Sequence, residues 1–417
     1  MKLANIILIF GQITRTLKLY HNLCEAVIQG LELIFVENKY ADKVIEKTLK
    51  QNPKWGARDR RFIAETTYDI VRWHRLFTHL TDAEEHDYWK LLGAWCIWNK
   101  VDLPNWDEFK SIDRRKFQAN YDAIESVRKI RESIPDWLDL LGEKELGEAW
   151  EQEIHALNNP AQVVLRVNSL KITRAELKKQ LKEEEDILTE SPEKFPDALI
   201  LEQRQNIFTR QQFKDGLFEV QDAASQLIAP FMQLEPGMRV VDACAGAGGK
   251  TLHLAALLKN KGRIIALDTE EWKLEELKKR ARRAGAGNIE ARVIDSSKVI
   301  KRLENTAERL LLDVPCSGLG VLNRNPDAKW KLSEEFIEKV KLLQEKILTD
   351  YTSMLKPGGL MVYSTCSILP SENEEQVKKF VTQQQGKFEF IKEQRSLPSE
   401  GFDGFYMALL KKKLAII

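Results

Sequence analysis

Asp242-Ala243-Cys244-Ala245-Gly246-Ala247-Gly248-Gly249-Lys250-Thr251 closes an apolar run that begins at Met238 and opens a helical pattern over 249–260. Glycines at such a strand-to-helix turn let the backbone bend sharply and approach a ligand closely. Regular alternation continues from there. Strands are predicted over 238–243, 263–268, 289–294, 309–313 and 359–364, and helices over 249–260, 271–284, 333–355 and 372–385. Repeated strand–helix units imply a parallel sheet covered on both faces. One more strand, Phe405 to Leu410, precedes a closing lysine triplet.

The loop is not a Walker phosphate loop, which needs glycine where this chain has Cys244. A nucleotide-type ligand also needs an acid at the end of the next strand to bind ribose hydroxyls. Asp268 stands there, 22 residues after Gly246. These features leave a dinucleotide or S-adenosylmethionine. Asp295 and Asp313 end the following two strands. Any one of these acids alone reads equally well as a turn or helix-cap residue. Together they put a ligand at the carboxyl edge of the sheet.

Two cysteines end apolar runs downstream, Cys316 in Asp313-Val314-Pro315-Cys316-Ser317-Gly318 and Cys366 in Tyr363-Ser364-Thr365-Cys366-Ser367. A single such thiol reads as a small buried residue. Two in matching positions beside one cofactor loop point to covalent chemistry. Cys24 and Cys96 read as core residues, and Cys244 as lining the cofactor.

The 417 residues exceed one ordinary domain. Lys and Arg total 64 against 63 Asp and Glu, so a nucleic-acid partner needs a local basic face that the balanced total hides. Five scattered cysteines argue against a disulfide framework and for a reducing cytoplasm. Nothing in the pattern calls for a metal. The apolar run Leu3–Phe10 is too short to span a bilayer. It lacks a good small-residue cleavage site and reads as a first helix or as extra residues from an upstream start codon.

Residues 17–130 read as helical, with Leu19, Leu23, Val27, Gly30, Leu31 and Ile34 on one face and Phe62, Thr66, Ile70, Trp73 and Phe77 on another. Trp89, Trp95, Trp98 and Trp106 read as core, with base stacking the lesser alternative. A helix is predicted from Pro135 to Leu157, then a strand over 163–167. Next come a helix capped by Thr173 with Glu176 in the capping box, and short strands at 198–201 and 216–220. This mixture makes a small α+β module.

The motifs together resemble the NOL/NOP/Sun family of RNA cytosine-5 methyltransferases, the bacterial Sun/Fmu branch most closely. The resemblance is carried by the glycine loop, by Asp313–Gly320 and by Ser364–Glu374. Arg324–Trp330, Ser133–Trp137, Arg166–Asn168, Gln221–Ser225 and Asp403–Ala408 add to it. It implies a Rossmann-like, class I S-adenosylmethionine-dependent methyltransferase domain over 231–417. Before it stand the α+β module over 131–230 and a helical, NusB-like RNA-binding domain over 1–130. Residues 80–125 match no part of the family. The resemblance also implies that Cys244, Ala245, Gly246, Ala247, Gly248, Gly249, Lys250, Asp268, Asp295 and Asp313 bind the cofactor. Cys366 is then the nucleophile toward cytosine C6, and Cys316 the thiol that aids release. Asp313 holds the base, and Lys250 reaches toward the cofactor or the base. The substrate is RNA, ribosomal RNA first.

Arg58, Arg60, Arg61, Arg72 and Arg75 are candidates for a local RNA-binding face or a solvated helix surface. The family usually has Ala-Pro where this chain has Gly246-Ala247, which predicts a looser loop that still admits the cofactor. Two other readings remain. DNA cytosine methyltransferases use the Pro-Cys thiol as nucleophile, and under that reading Cys366 is dispensable. A non-catalytic RNA-binding or ribosome-assembly factor is the rival of another class, against which the intact thiols and acids argue.

Overall fold

The computed structural model describes residues 17–414, so the run Leu3–Phe10 lies outside the described residues. The chain divides into two compact units. One runs to Asp139 and takes in Asn325–Lys331; the other comprises Leu140–Arg324 and Leu332 onward. Among the described residues, no helix is long and apolar enough to cross a membrane, and no group of three or more His, Cys, Asp or Glu could hold a metal ion.

The first unit is helical, built on His21–Phe35, Ala41–Gln51, Ala57–Arg72, His74–Thr81, Tyr88–Trp98 and Arg114–Ala123. Leu23, Val27, Leu31 and Ile34 recur every three or four residues and face the core with Ile63, Ile70 and Phe77. The tryptophans pack as core. Trp95 is buried and its indole donates to Asp69 at 3.2 Å, while Trp89, Trp98 and Trp106 lie against the same cluster. Trp330 joins them, its indole donating to the Val71 carbonyl at 2.7 Å.

The five arginines do not form one exposed face. Arg60 donates to the carbonyls of Leu49 and Trp55 at 2.8 and 2.9 Å, closing off the end of a helix. Arg75 donates to the Ile134 carbonyl at 2.6 Å, and Arg72 is buried. Only Arg58 and Arg61 are exposed, and Arg61 pairs with Glu65. Unmet carbonyls at helix ends compete for guanidinium donors, a demand that charge spacing in a sequence does not reveal.

The second unit holds two sheets. The smaller contains β1 (Val164–Val167), β2 (Thr189–Glu190), β3 (Ala198–Leu201) and β4 (Phe218–Val220), antiparallel in the order β2-β3-β1-β4. Thr173 caps the helix Arg174–Glu185 as its sequence predicts. The Glu176 N–H donates to the Thr173 hydroxyl, and the Glu176 carboxylate accepts the Thr173 N–H at 2.9 Å. The single helix expected over 135–157 is instead two, Asp136–Leu146 and Ala149–Leu157. Gly147 separates them at φ +58°, the left-handed turn that ends helices.

The larger sheet has seven strands in the order β10-β11-β9-β8-β5-β6-β7. They are β5 (Arg239–Asp242), β6 (Arg263–Asp268), β7 (Ile289–Val293), β8 (Ala307–Asp313), β9 (Leu355–Thr365), β10 (Phe388–Ser396) and β11 (Phe405–Lys412). Side chains alternate between two buried faces. Val240, Ile264, Leu311 and Val362 meet Leu254 of the helix Gly249–Leu257 and Leu258, which caps it. Val241, Ile265, Leu312 and Tyr363 meet Ile347, Leu348, Val377 and Phe380 from helices on the other side.

The expected all-parallel sheet is corrected at one edge. β5 to β9 are parallel, but β11 runs antiparallel to both β9 and β10. The reason is connection length. Only residues 397–404 join β10 to β11, and so short a link makes a hairpin. β10 escapes the sequence pattern because it is an edge strand whose exposed middle, Glu389 to Glu393, mixes three charged residues with Phe390 and Ile391 and so shows no apolar alternation.

Candidate active site

β5, β6 and β8 all end in aspartates, at the same edge where β9 ends before Cys366. The glycine loop is held across this edge. Gly246 donates its N–H to Asp268 at 2.8 Å, and the other Asp268 oxygen accepts the Glu270 N–H at 2.9 Å. Gly248 adopts φ +87°, and a Cβ there would stand 2.6 Å from the Leu277 side chain. Gly246, at φ +52°, has open space where a Cβ would point. Glycine is thus required at one position by packing and at both by conformation.

The loop that carries Gly246-Ala247 in place of Ala-Pro is tied from outside by two arginines. Arg280 donates to the Ala247 carbonyl at 2.9 Å while Glu219 of β4 holds the same guanidinium at 2.9 Å. Arg166 of β1 donates to the Gly249 carbonyl at 2.5 Å and also to Gln221. Burial lowers the Arg166 pKa to about 10, and the nearby Glu219 charge opposes that shift. Two guanidinium groups thus hold the Ala247 and Gly249 carbonyls, two residues apart, in a turn that has no proline.

Behind the loop, Asp242 is buried and accepts the Thr251 hydroxyl at 2.7 Å. Burial, with the Asp313 charge adding, pushes its carboxyl up to about 7 against the pull of the Thr251 bond. Lys250 points from the loop to Asp313 at 2.6 Å, with 15% and 24% of the two side chains exposed. The other Asp313 oxygen accepts the Ser364 hydroxyl at 2.9 Å. Burial alone would lower the Lys250 pKa. The charges of Asp313, Cys366 and Asp242 outweigh it and raise the group, so Lys250 is a held cation facing the Cys366 sulfur.

The two thiols lie 3.2 Å apart, sulfur to sulfur, both partly buried. A short backbone ladder joins their turns. Gly404 donates to the Gly320 carbonyl at 2.7 Å and Gly320 to the Cys366 carbonyl at 2.9 Å. A Cβ on Gly320 would sit 2.1 Å from the Gly404 carbonyl oxygen, so only glycine permits this approach. Arg324 secures the same region, reaching Asp403 at 2.6 Å and Asp222 at 2.9 Å. The Cys316 thiol is pushed well up, first by its hydrogen bond to Cys366, then by burial and by the charges of Cys366 and Glu372. Of the two, Cys316 is the thiol whose proton is held the more firmly by its surroundings.

Asp268, Asp313, Lys250, Cys316 and Cys366 therefore converge on one edge. Asp295 follows β7 beside the Asp268 end of β6, exposed, and accepts the Ser296 hydroxyl at 3.0 Å. Cys244 is half-buried, and its thiol is pushed well up by burial and by the charges of Asp242, Asp313 and Asp268. It lines the site as a neutral group. Glu219, Arg280 and Glu372 were not legible as site residues. Their signal is a carboxylate or guanidinium buried by folding, and no local spacing encodes that.

Residues 229–411 match the family described as 16S rRNA methyltransferase RsmB/F, and residues 134–208 match the ferredoxin-like domain of RsmF/B-like methyltransferases. A probable ribosomal RNA small subunit methyltransferase B of Synechocystis is 30% identical over 90% of this chain and 96% of its own length. The chain belongs to the RsmB/F methyltransferase family. A ribosomal RNA small subunit methyltransferase B of Vibrio cholerae is 35% identical over 72% of this chain and 71% of its own. The crystal structure of PH0851 superposes with a TM-score of 0.79 at 26% identity, covering 95% of this chain and all of that one.

An RsmB/F methyltransferase uses S-adenosylmethionine, and this site fits it. Asp242, Asp268 and Asp313 act together on the Cys244 position. Negative surroundings of this kind suit the positive sulfonium centre of S-adenosylmethionine. Asp268 keeps lone pairs free for ribose hydroxyls beyond its two backbone bonds. The braces make a testable contribution. Arg280→Ala releases the Ala247 carbonyl and weakens S-adenosylmethionine binding about tenfold, near the 1.5 kcal/mol of one charge-assisted hydrogen bond. Calorimetry on the purified variant reads this directly, and an unchanged dissociation constant would show that the brace is idle.

Proposed function

We propose that this protein methylates C5 of a cytosine in small-subunit ribosomal RNA through a covalent bond between Cys366 and cytosine C6. The observation that carries this reading is the thiol pair, 3.2 Å apart, with Lys250 acting on Cys366 and Glu372 acting on Cys316. A cation beside one sulfur and an anion beside the other favour the charge on Cys366, and the thiolate is the nucleophile.

Cys366 Sγ adds to C6, opening the C5–C6 double bond and making C5 nucleophilic. Bound S-adenosylmethionine supplies the electrophilic methyl group that C5 takes. Once Cys366 is bonded to carbon its charge is gone, and so are two of the causes that hold the Cys316 thiol up. Cys316 then gives its proton to solvent and removes the proton from C5. The C6–S bond breaks, the double bond re-forms, and Cys366 leaves as thiolate. Lys250 balances the sulfur charge at the start and end of the cycle, and Asp313 presents a carboxylate to the edge of the base.

Two partly buried thiols cannot reach a stacked cytosine, so the target leaves its stack. In this reading residues 1–130 form a NusB-like domain that grips RNA, 131–230 a module that braces the cofactor loop, and 231–417 the catalytic domain. Incubation with S-adenosylmethionine and unmethylated small-subunit RNA, followed by nucleoside mass spectrometry, yields 5-methylcytidine. A product methylated on the exocyclic amine or the ribose would refute the C5 assignment.

A further inference from the structure

Glu372 lies under both thiol turns with 0% of its surface exposed. No ion pair to it occurs among the described residues. Its carboxylate gathers hydrogen-bond donors instead. One oxygen accepts the Ser317 N–H at 2.8 Å and the Gln344 amide at 3.0 Å. The other accepts the hydroxyls of Ser317 and Ser367, the latter at 2.5 Å. Ser317 directly follows Cys316, and Ser367 directly follows Cys366. Gln344 also donates to the Pro315 carbonyl at 3.0 Å, just before Cys316. The Tyr363 hydroxyl pins the Glu372 backbone carbonyl at 2.7 Å.

A buried carboxylate is costly unless donors saturate it. Here those donors come from the residue after each thiol, so one side chain joins two turns that are 50 residues apart in sequence. A carboxylate offers only acceptors, so both hydroxyls must point at it and their turns lose rotational freedom. Its charge also acts on Cys316, while the Lys250 cation acts on Cys366.

We propose that Glu372 is a positioning residue that sets the geometry of the two thiols and directs the negative charge to Cys366 instead of Cys316. This rests on Cys366 being the nucleophile, and the test separates the two ideas. Glu372→Gln keeps the volume but removes the charge and places an amide donor where donors already converge. Iodoacetamide labelling of the full-length protein across pH, read by peptide mass spectrometry, needs neither RNA nor turnover. In the unaltered protein Cys366 is labelled first and Cys316 only at higher pH. In Glu372→Gln the Cys316 labelling curve moves down by about one pH unit, and the preference for Cys366 shrinks about tenfold. Methylation kcat falls by about the same factor, while KM for RNA and S-adenosylmethionine affinity hold.

The double variant Ser317→Ala, Ser367→Ala cuts the ties but keeps the charge. It retains the labelling order and loses kcat. Should Glu372→Gln not fold, Glu372→Asp withdraws the carboxylate by one methylene, with the order kept and kcat reduced. An unchanged labelling curve with kcat within twofold overturns the proposal for whichever variant is measured. If Cys366→Ala still forms the RNA adduct, the nucleophile assignment fails on its own, and the labelling shift in Glu372→Gln still reports on positioning.

Discussion

Cys366→Ala forms no covalent complex with RNA containing 5-fluorocytosine and lowers methyl transfer by about 10⁴-fold or more, the scale seen when a nucleophile is deleted. Cys316→Ala forms the complex and fails to release it, so protein–RNA adduct accumulates even on ordinary RNA. The asymmetry follows from the charges around the pair. Cys316 is held as a thiol by its bond to Cys366 and by Glu372, and Cys366 faces Lys250. Removing Cys366 removes the step that makes C5 reactive. Removing Cys316 leaves that step intact and takes away the base for the C5 proton. Denaturing gels of trapped complexes read both outcomes. Adduct from Cys366→Ala and none from Cys316→Ala would transfer the nucleophile to the Pro-Cys thiol, the arrangement of DNA cytosine methyltransferases.

Asp313→Asn destabilises the protein and silences it together. The Lys250 ammonium has its carboxylate 2.6 Å away and little water, with 15% of the side chain exposed. Deleting one charge of a fully buried pair costs about 3–5 kcal/mol. Partial solvent access at this pair brings the expected loss to about 2–4 kcal/mol. Ser364 also loses its charged acceptor. Urea unfolding at neutral pH shows the lower midpoint, and methylation falls by a larger factor than stability explains because Lys250 no longer holds its place beside Cys366. Full activity in a variant of unchanged stability would mean that the pair only fills space. Lys250→Met in the same background separates the two effects, since it removes the stranded charge and restores part of the stability without restoring turnover.

Much of the catalytic half was legible because its signals are local. A strand, a glycine turn and a helix must be adjacent in sequence, and 263–268 and 271–284 match β6 and the helix Glu271–Ala284 residue for residue. The Thr173 capping box is likewise a three-residue device. Where the reading stopped short, the deciding partner was remote. β10 carries charged residues because it is an edge, and being an edge depends on how β11 inserts beside β9. Arg60 and Arg75 serve carbonyls 11 and 59 residues away, so their charge resembled a binding face until the acceptors were placed.

The sequence alone determined the kind of protein this is. Periodicity dictated the alternating fold, and the glycine loop with its following acids dictated a nucleotide-type cofactor edge. Two strand-end cysteines then pointed to covalent chemistry. Tertiary structure alone decided how those parts act. It brought Cys316 and Cys366 to 3.2 Å, brought the charge of Lys250 within reach of Cys366 and that of Glu372 within reach of Cys316, and tied the loop to Arg166 and Arg280. Chain neighbours settle conformation through backbone geometry and side-chain period. The proton on a thiol depends on burial and on charges brought close by folding, which sequence distance does not measure.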